Sequence, residues 1–147
     1  LCGTVSEPGT VDKPLGRHPT DRKKMATYPV GTAKPGVRTA ITHYTPLEIF
    51  PGDANSGSFT YAQAVLETGR THQIRVHMAS IGHPVLGDPV YGGDSSPFAK
   101  KHQNLMPGQL LHAAALYLTH PITGEEMQFS APLPSNFEEL LRILRER

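Results

Sequence analysis

Glycine and proline interrupt this sequence so often that long helices have little room to form. There are 14 of each among 147 residues. Glycine adopts backbone conformations that regular elements do not use, and proline lacks a backbone donor, so both favour turns. The length suits one hydrophobic core, and nothing in the composition requires a second domain. We therefore expect one α+β unit with short strands and few long helices.

Apolar patterning predicts two pairs of strands. Residues 38–50 and 58–66 are rich in β-branched and aromatic side chains that partly alternate with polar ones, which is typical of an antiparallel pair. Residues 109–118 and 126–131 have the same character and are separated by the turn sequence HPITG. The second pair should therefore form a hairpin.

One segment between these pairs has the spacing of a helix. In residues 71–81, Ile74, Met78 and Ile81 recur at i, i+4 and i+7, which predicts a buried apolar stripe. Thr71 stands at the start of this run, where a hydroxyl side chain can cap the first turn. We expect a short amphipathic helix of about three turns.

The two ends of the chain and one long internal segment differ from these regular stretches. Residues 1–5 are short and apolar and predict the end of a strand, whereas residues 136–145 predict a terminal helix. Residues 6–37 show no sustained period and predict a long loop, a length that is usually functional or disordered. The chain starts at Leu1 without a signal-like stretch, so we interpret it as a processed or truncated polypeptide.

Basic charge is concentrated in one part of the chain. The formal net charge is only +1, yet seven of the 14 Lys and Arg residues lie between positions 13 and 38, where Asp21 is the only acid. Residues 16–27 (GRHPTDRKKMAT) have the composition of a loop that contacts RNA phosphates, the alternative being a solvated charged loop. The cations that we expect to contact RNA are Arg17, Arg22, Lys23 and Lys24.

The densest group of chemically active side chains lies in residues 66–93, which contain two arginines and three histidines. On the predicted helix, Arg75 lies about 100° from Ile74, so its stem can be buried while its guanidinium reaches the rim of a site. A half-buried guanidinium needs a carboxylate or phosphate partner. Arg70, near the start of the helix, suits an RNA phosphate. The alternative is that Arg70 and Arg75 are both ordinary surface residues of the helix.

A metal site is not expected from this sequence. His72 and His77 are five residues apart, about 140° around a helix, so they do not form an i, i+4 zinc pair. Cys2 is the only cysteine, which excludes an internal disulfide and a cysteine-based zinc site and fits a reducing cytoplasm. Asp88 is either a catalytic acid or, as we favour, the acceptor in a turn or cap ahead of Pro89.

Residues 66–92, LETGRTHQIRVHMASIGHPVLGDPVYG, resemble the signature block of the RluA-type pseudouridine synthases. Residues 16–27 resemble the loop that precedes this block in the family, and residues 109–134 resemble its C-terminal strand and hairpin. The nearest subgroup is the RluD-like enzymes of large-subunit ribosomal RNA. The resemblance implies part of a mixed, mostly antiparallel β-sheet with flanking helices, in which residues 1–147 form the C-terminal portion of one catalytic domain. Its parts are the basic loop 6–37, the signature block 66–93 and the C-terminal hairpin and helix 109–147.

The resemblance also implies an activity. Family members convert uridine to pseudouridine by breaking the C1′–N1 bond and rejoining the base through C5, without a cofactor, and the target base must leave its stack. Arg75 matches the family's arginine that pairs with the catalytic aspartate. Arg70 matches the first arginine of the block, and Leu111 matches an apolar residue that lines the uracil pocket. The substrate-binding residues expected here are Arg70, Thr71, His72, Gln73 and Leu111.

Two parts of the family's active site have no counterpart here. The aspartate of an HRLDxxTSG-like motif is absent from the sequence, and no tyrosine stands in the matching context. We therefore expect Arg75 to lack its carboxylate partner, and this chain alone to be inactive. Expected partners are RNA, in particular ribosomal RNA, the other half of the domain and, through open sheet edges, another copy. Two alternative functions remain open, which are a non-catalytic RNA-binding module and a metal-dependent hydrolase that uses the histidines.

Overall fold

The computed structural model describes residues 1–53 and 55–147. Every strand pair in this part of the chain is antiparallel, and the helices follow or flank the strands, so the α+β prediction is confirmed. The elements in chain order are β1 (Gly9–Asp12), β2 (Leu15–Arg17), β3 (Met25–Thr27), β4 (Ile41–Phe50), β5 (Phe59–Leu66), α1 (Gln73–Ser80), α2 (Pro97–Lys101), a 3-10 helix (Gln103–Leu105), β6 (Ala115–Thr119), β7 (Glu126–Ser130) and α3 (Ser135–Glu146).

The two longest strands, β4 and β5, form a three-stranded sheet with β1, in the order β1-β4-β5. The predicted pairing of residues 38–50 with 58–66 is confirmed by β4 and β5, although β4 begins only at Ile41. The register shifts between Pro46 and Glu48, where proline cannot donate to the ladder, so a bulge interrupts the pairing.

The segment 6–37 is more ordered than a loop, and that prediction was wrong for its first part. It contains β1, which joins the central sheet, and β2 and β3, which pair with each other. We call residues 15–27 the basic hairpin. Inside its turn, the His18 ring nitrogen accepts the backbone N–H groups of Thr20 and Asp21. Strands of three or four residues are too short for their periodicity to be recognised.

Residues 1–5 do not form the predicted strand. Cys2 makes a single bridge with Phe59, and the amino group of Leu1 donates to the carbonyl of Thr60 at 2.8 Å. The segment lies along β5 without continuing the sheet.

Helix α1 is shorter than predicted and buried around most of its circumference. It begins at Gln73, and exposed Thr71 is not its cap, because His72 occupies that position with a left-handed φ of 56°. The buried side chains include Arg75 and His77, whereas Ile74 is only half-buried, so the predicted apolar stripe was wrong. Polar partners supplied by other parts of the chain make this burial possible.

Two apolar clusters hold the elements together. The larger one joins the end of β4 and the start of β5 to α2 and to the predicted terminal helix α3, with Phe50, Phe59 and Leu140 at its centre. The smaller one places Leu15 of the basic hairpin against Val76 of α1. This second cluster fixes the basic hairpin beside the helix that carries Arg75.

Helix α2 was not predicted, although its start carries recognisable signals. Ser96 accepts the backbone N–H of Ala99 as an N-cap, and Pro97 occupies the first helical position. Among the described residues, no helix is long and apolar enough to cross a membrane.

The C-terminal hairpin of β6 and β7 is confirmed, but β6 begins at Ala115 rather than at residue 109. Its register pairs Leu116 with Phe129 and Leu118 with Met127. Because side chains alternate between faces, these four share one face. Leu116 and Phe129 are more than half exposed, so this face has no cover in the described chain.

Candidate active site

Arg75 and Asp88 form a buried, two-bonded ion pair. The Arg75 Nε–H donates to Asp88 Oδ2 at 2.8 Å, and Nη2 donates to Oδ1 at 3.0 Å. Arg75 is only 8% exposed and Asp88 is fully buried. Asp88 raises the pKa of the guanidinium through these hydrogen bonds. The expectation that Arg75 lacks a carboxylate partner was wrong, because the turn after α1 brings Asp88 against it.

Asp88 is held by the turn that it begins. Its Oδ1 also accepts the backbone N–H groups of Val90 and Tyr91, as expected for an Asp that organises a turn. Burial acts to raise the pKa of Asp88, but the bonds from Arg75 and the two amides keep it below its ordinary value. Only glycine fits at position 93, where an added Cβ would lie 1.7 Å from the carbonyl oxygen of Val85.

Tyr91 connects Arg75 to the basic hairpin, and no sequence pattern identified it as a site residue. Its ring centroid lies 5.1 Å from Arg75 Cζ. Its hydroxyl accepts the backbone N–H of Met25 at 2.9 Å and lies 2.8 Å from His72 Nδ1. The only available signal was its position in the same turn as Asp88, three residues later. Burial raises the pKa of Tyr91, which keeps the hydroxyl protonated.

His72 contacts Tyr91 and lies near the charges of Arg75 and Asp88. Because the Tyr91 oxygen already accepts the Met25 amide, its hydroxyl proton can be donated to His72 Nδ1. Burial lowers the pKa of His72, and the positive charges of Arg75 and Arg17 act in the same direction, against the opposing effect of Asp88. A neutral imidazole with an N–H on Nε2 follows from this arrangement.

Gln73 anchors the loop that carries Arg70. Its side-chain oxygen accepts the Thr68 hydroxyl at 2.7 Å and the Arg70 backbone N–H at 3.0 Å. Its amide nitrogen donates to the carbonyl of Ile41 and to Thr42 Oγ1. The exposed Arg70 side chain donates from Nε to the carbonyl of Thr39. Its terminal nitrogens make no hydrogen bond within the described residues, which suits an anionic ligand.

His77 is a structural histidine. Its Nε2 lies 2.8 Å from the carbonyl of Lys13, which only accepts, so Nε2 carries the proton. Its Nδ1 then accepts the hydroxyl of Thr42 at 2.8 Å. Burial lowers the pKa of His77. Within the part of the chain that the structure describes, no group of histidine, cysteine and carboxylate side chains is placed to hold a metal ion.

The geometry thus combines an oriented guanidinium with an adjoining cationic surface. Asp88 engages Nε and Nη2, while Nη1 of Arg75 makes no hydrogen bond within the described residues. The sequence profile of the RNA pseudouridylate synthase family matches residues 2–80, more than half of the chain. The chain belongs to this family.

Relatives of known function in the family are similar over nearly all of this chain. The ribosomal large subunit pseudouridine synthase D of Pasteurella multocida (strain Pm70) is 47% identical, with 98% of this chain and 43% of the relative aligned. The protein of the same name from Escherichia coli (strain K12) is 45% identical over 97% of this chain and 42% of the relative. The chain therefore spans less than half the length of these relatives.

Solved structures of the pseudouridylate synthase family share the fold. Human RNA Pseudouridylate Synthase Domain Containing 1 superposes with a TM-score of 0.67 at 24% identity, covering 100% of this chain and 63% of that chain. Human RNA Pseudouridylate Synthase Domain Containing 4 gives a TM-score of 0.63 at 26% identity, covering 95% and 57%. The arrangement of antiparallel strands and flanking helices is thus that of the family.

The structure groups most, but not all, of the residues that were selected from the sequence. His72, Gln73 and Arg75 lie together on or beside α1, and Arg17 is close enough to influence the pKa of His72. Arg22 and Lys23 are exposed in the turn of the basic hairpin, with Lys24 half-buried beside them. Leu111, 43% exposed, belongs to neither apolar cluster of the described residues and is not hydrogen-bonded to this group.

Proposed function

We propose that the protein carrying this chain converts uridine to pseudouridine in RNA, and that its substrate is large-subunit ribosomal RNA in the cytoplasm. The observation that carries the proposal is the buried Arg75, which Asp88 and Tyr91 orient at the edge of a cationic surface. Family membership and the names of the relatives from Pasteurella and Escherichia support the reaction and the RNA class.

The Arg75 guanidinium has N–H donors that Asp88 does not use and that can bind a second acidic group. A guanidinium carries five N–H donors, and Asp88 uses two of them. The unused Nη1 group can therefore bind the catalytic aspartate that the family resemblance implies, which is not found in these 147 residues. In this arrangement Asp88 fixes the guanidinium and leaves its outer edge for the reaction.

The residues around Arg75 have two proposed roles, which are general RNA affinity and contacts close to the target nucleotide. Arg17, Arg22, Lys23 and Lys24 contact RNA phosphates, which sets affinity and its dependence on salt. Arg70 binds a phosphate close to the target, on a loop that Gln73 holds in place. Thr71 is exposed beside it. Leu111 contacts the target base only if the rest of the domain brings it near.

The rest of the catalytic domain is the partner that we propose for the uncovered apolar face of the C-terminal hairpin. That face carries Leu116 and Phe129, and Leu47 and Val65 are also more than half exposed on the central sheet. Exposed apolar surface of this kind is typical of an interaction site. Without that cover, we expect this chain to self-associate and to isomerise no uridine.

The proposed function can be tested on natural substrate. Pseudouridines in large-subunit ribosomal RNA should be mapped by chemical labelling in cells with and without the gene. We expect at least one modified position to disappear, and to return when the wild-type gene is restored. If every position remains modified while the purified protein still binds RNA, the non-catalytic RNA-binding alternative is the correct one.

A further inference from the structure

A surface groove of about 580 Å³ is lined by the basic hairpin and the segment that follows it, and neither Arg75 nor Asp88 lines it. Its charged lining comes from Arg17, Arg22 and Lys34, and its apolar walls include Tyr28, Pro35 and Val37. The volume falls within the range of small-molecule sites. The groove is open to solvent and combines positive charge with apolar surface.

The cations of the groove have no acidic partner within the described residues. That part of the chain forms five ion pairs, and none involves Arg17, Arg22 or Lys34. The arginines of α3 show the contrast, because Arg142 and Arg145 are both paired with glutamates. Positive charge left unpaired around a concave surface favours an anionic ligand.

The wall of the groove is built by specific contacts. The Tyr28 hydroxyl donates to the carbonyl of Arg17 at 2.6 Å, and Lys34 Nζ lies 5.3 Å from the centroid of the Tyr28 ring. A side chain at Gly16 would crowd this wall, since an added Cβ would lie 2.9 Å from Val37 and 3.1 Å from Tyr28. Tyr28 therefore fixes both the backbone of Arg17 and the ammonium of Lys34.

The groove is connected to the candidate active site through the basic hairpin. Arg17 pairs with Met25 across the two strands, and the Met25 amide is bonded to Tyr91, whose ring lies beside Arg75. Arg17 therefore links the lining of the groove to the surroundings of Arg75.

We propose that this groove binds one nucleotide of the substrate RNA other than the target uridine. Its phosphate lies against Arg17, Arg22 and Lys34, and its ribose or base lies against the apolar walls. The inference rests on the proposed function, because it takes RNA as the ligand. It adds a second contact site, with Tyr28 and Lys34 as residues that set RNA affinity.

The direct test measures the affinity of the natural full-length protein for a fluorescent RNA oligonucleotide that contains a substrate uridine. The double variant Arg22→Ala/Lys34→Ala should bind about tenfold more weakly, and the slope of log affinity against log salt should become shallower by up to about 0.7, the value for one phosphate on a single strand. The matched control is Lys100→Ala/Lys101→Ala, which removes the same charge from α2, outside the groove lining. It should change affinity by less than about twofold.

A second comparison tests the role of Tyr28. Tyr28→Leu should weaken binding, and combining it with Lys34→Ala should add less than the sum of the two single effects, because the ring positions that ammonium. If the two single effects on affinity are fully additive, Tyr28 does not position Lys34. If Arg22→Ala/Lys34→Ala binds RNA as tightly as the Lys100→Ala/Lys101→Ala control does, the groove does not bind the RNA and the proposal is overturned. These binding results do not depend on catalysis. If the groove variants lose RNA affinity but the wild-type protein isomerises no uridine, the proposed function is contradicted and the groove proposal is not.

Discussion

At the scale of single residues, the site depends on polar side chains that are buried and held by specific hydrogen bonds. Within the described residues, no buried side-chain nitrogen or oxygen lacks a hydrogen-bond partner. Asp88 and His77 are the two clearest cases, since one is buried with a charge and the other is buried neutral. Both should make stability depend on pH, in separate ranges.

Replacing Asp88 with asparagine should lower the free energy of unfolding by about 3 kcal/mol at pH 7, because Arg75 would stay buried without its counter-ion. The pKa of Asp88 in the folded protein lies below the ordinary value of 3.8. Its contribution is therefore complete above that value and is lost as the pH falls through the folded pKa. Urea unfolding at pH 7 and at about pH 3 should show the difference between wild type and Asp88→Asn shrinking in acid. Asp94→Asn, at an exposed carboxylate, is the control.

His77 should make the folded state sensitive to mild acid. Burial lowers its pKa below the ordinary 6.5, so the unfolded chain binds a proton more readily than the folded chain does. Stability should be complete above about pH 6.5 and fall as the pH drops below it. Thermal unfolding of wild type and His77→Gln between pH 7.5 and 5 checks this, since the glutamine variant should show a weaker dependence. Parallel curves for the two proteins would contradict the account.

At the scale of elements, the basic hairpin is attached to α1 and to the turn that follows α1 by few contacts. They are the small apolar cluster of Leu15 and Val76 and the hydrogen bond from Met25 to Tyr91. The loss of one such bond should loosen the hairpin without unfolding the molecule.

Tyr91→Phe should therefore increase hydrogen exchange at the Met25 amide while lowering global stability by only about 1 kcal/mol. The ring beside Arg75 is retained in this variant, so the effect isolates the hydroxyl. Amide exchange followed by NMR is the measurement, with Tyr117→Phe on the exposed C-terminal hairpin as the control. Unchanged protection at Met25 would show that the hairpin is held by other contacts.

At the scale of the whole molecule, local patterns predicted the elements better than the site. The period of side chains was sufficient for β4, β5 and α3, which each bury part of their surface, and for the C-terminal hairpin, whose apolar residues alternate with polar ones. The prediction of an apolar stripe on α1 was wrong because Arg75 and His77 are buried by partners that are distant in sequence, at Asp88 and at Lys13. No local pattern encodes such pairings, and Tyr91 was missed for the same reason.

The 147-residue chain on its own should self-associate or bind the remainder of the catalytic domain. The exposed apolar face of β6 and β7 and the open edges of the sheets favour both outcomes. Sedimentation velocity over a range of concentrations should show a dimer or larger species. A monomer at all concentrations, unaffected by addition of the remaining domain, would contradict this expectation.

We propose a role for Arg75 in uridine isomerisation rather than in RNA affinity, with Asp88 and Tyr91 orienting its guanidinium. It is tested most directly by tritium release from RNA labelled at C5 of uridine, measured in the natural full-length protein with Arg75 replaced by lysine. Lysine keeps the charge but not the planar set of donors. We expect the rate of release at saturating RNA to fall by at least about 100-fold, about 2.7 kcal/mol in the barrier, while the RNA dissociation constant stays within about twofold. An unchanged rate, or a loss of affinity that accounts for the loss of rate, would contradict the claim.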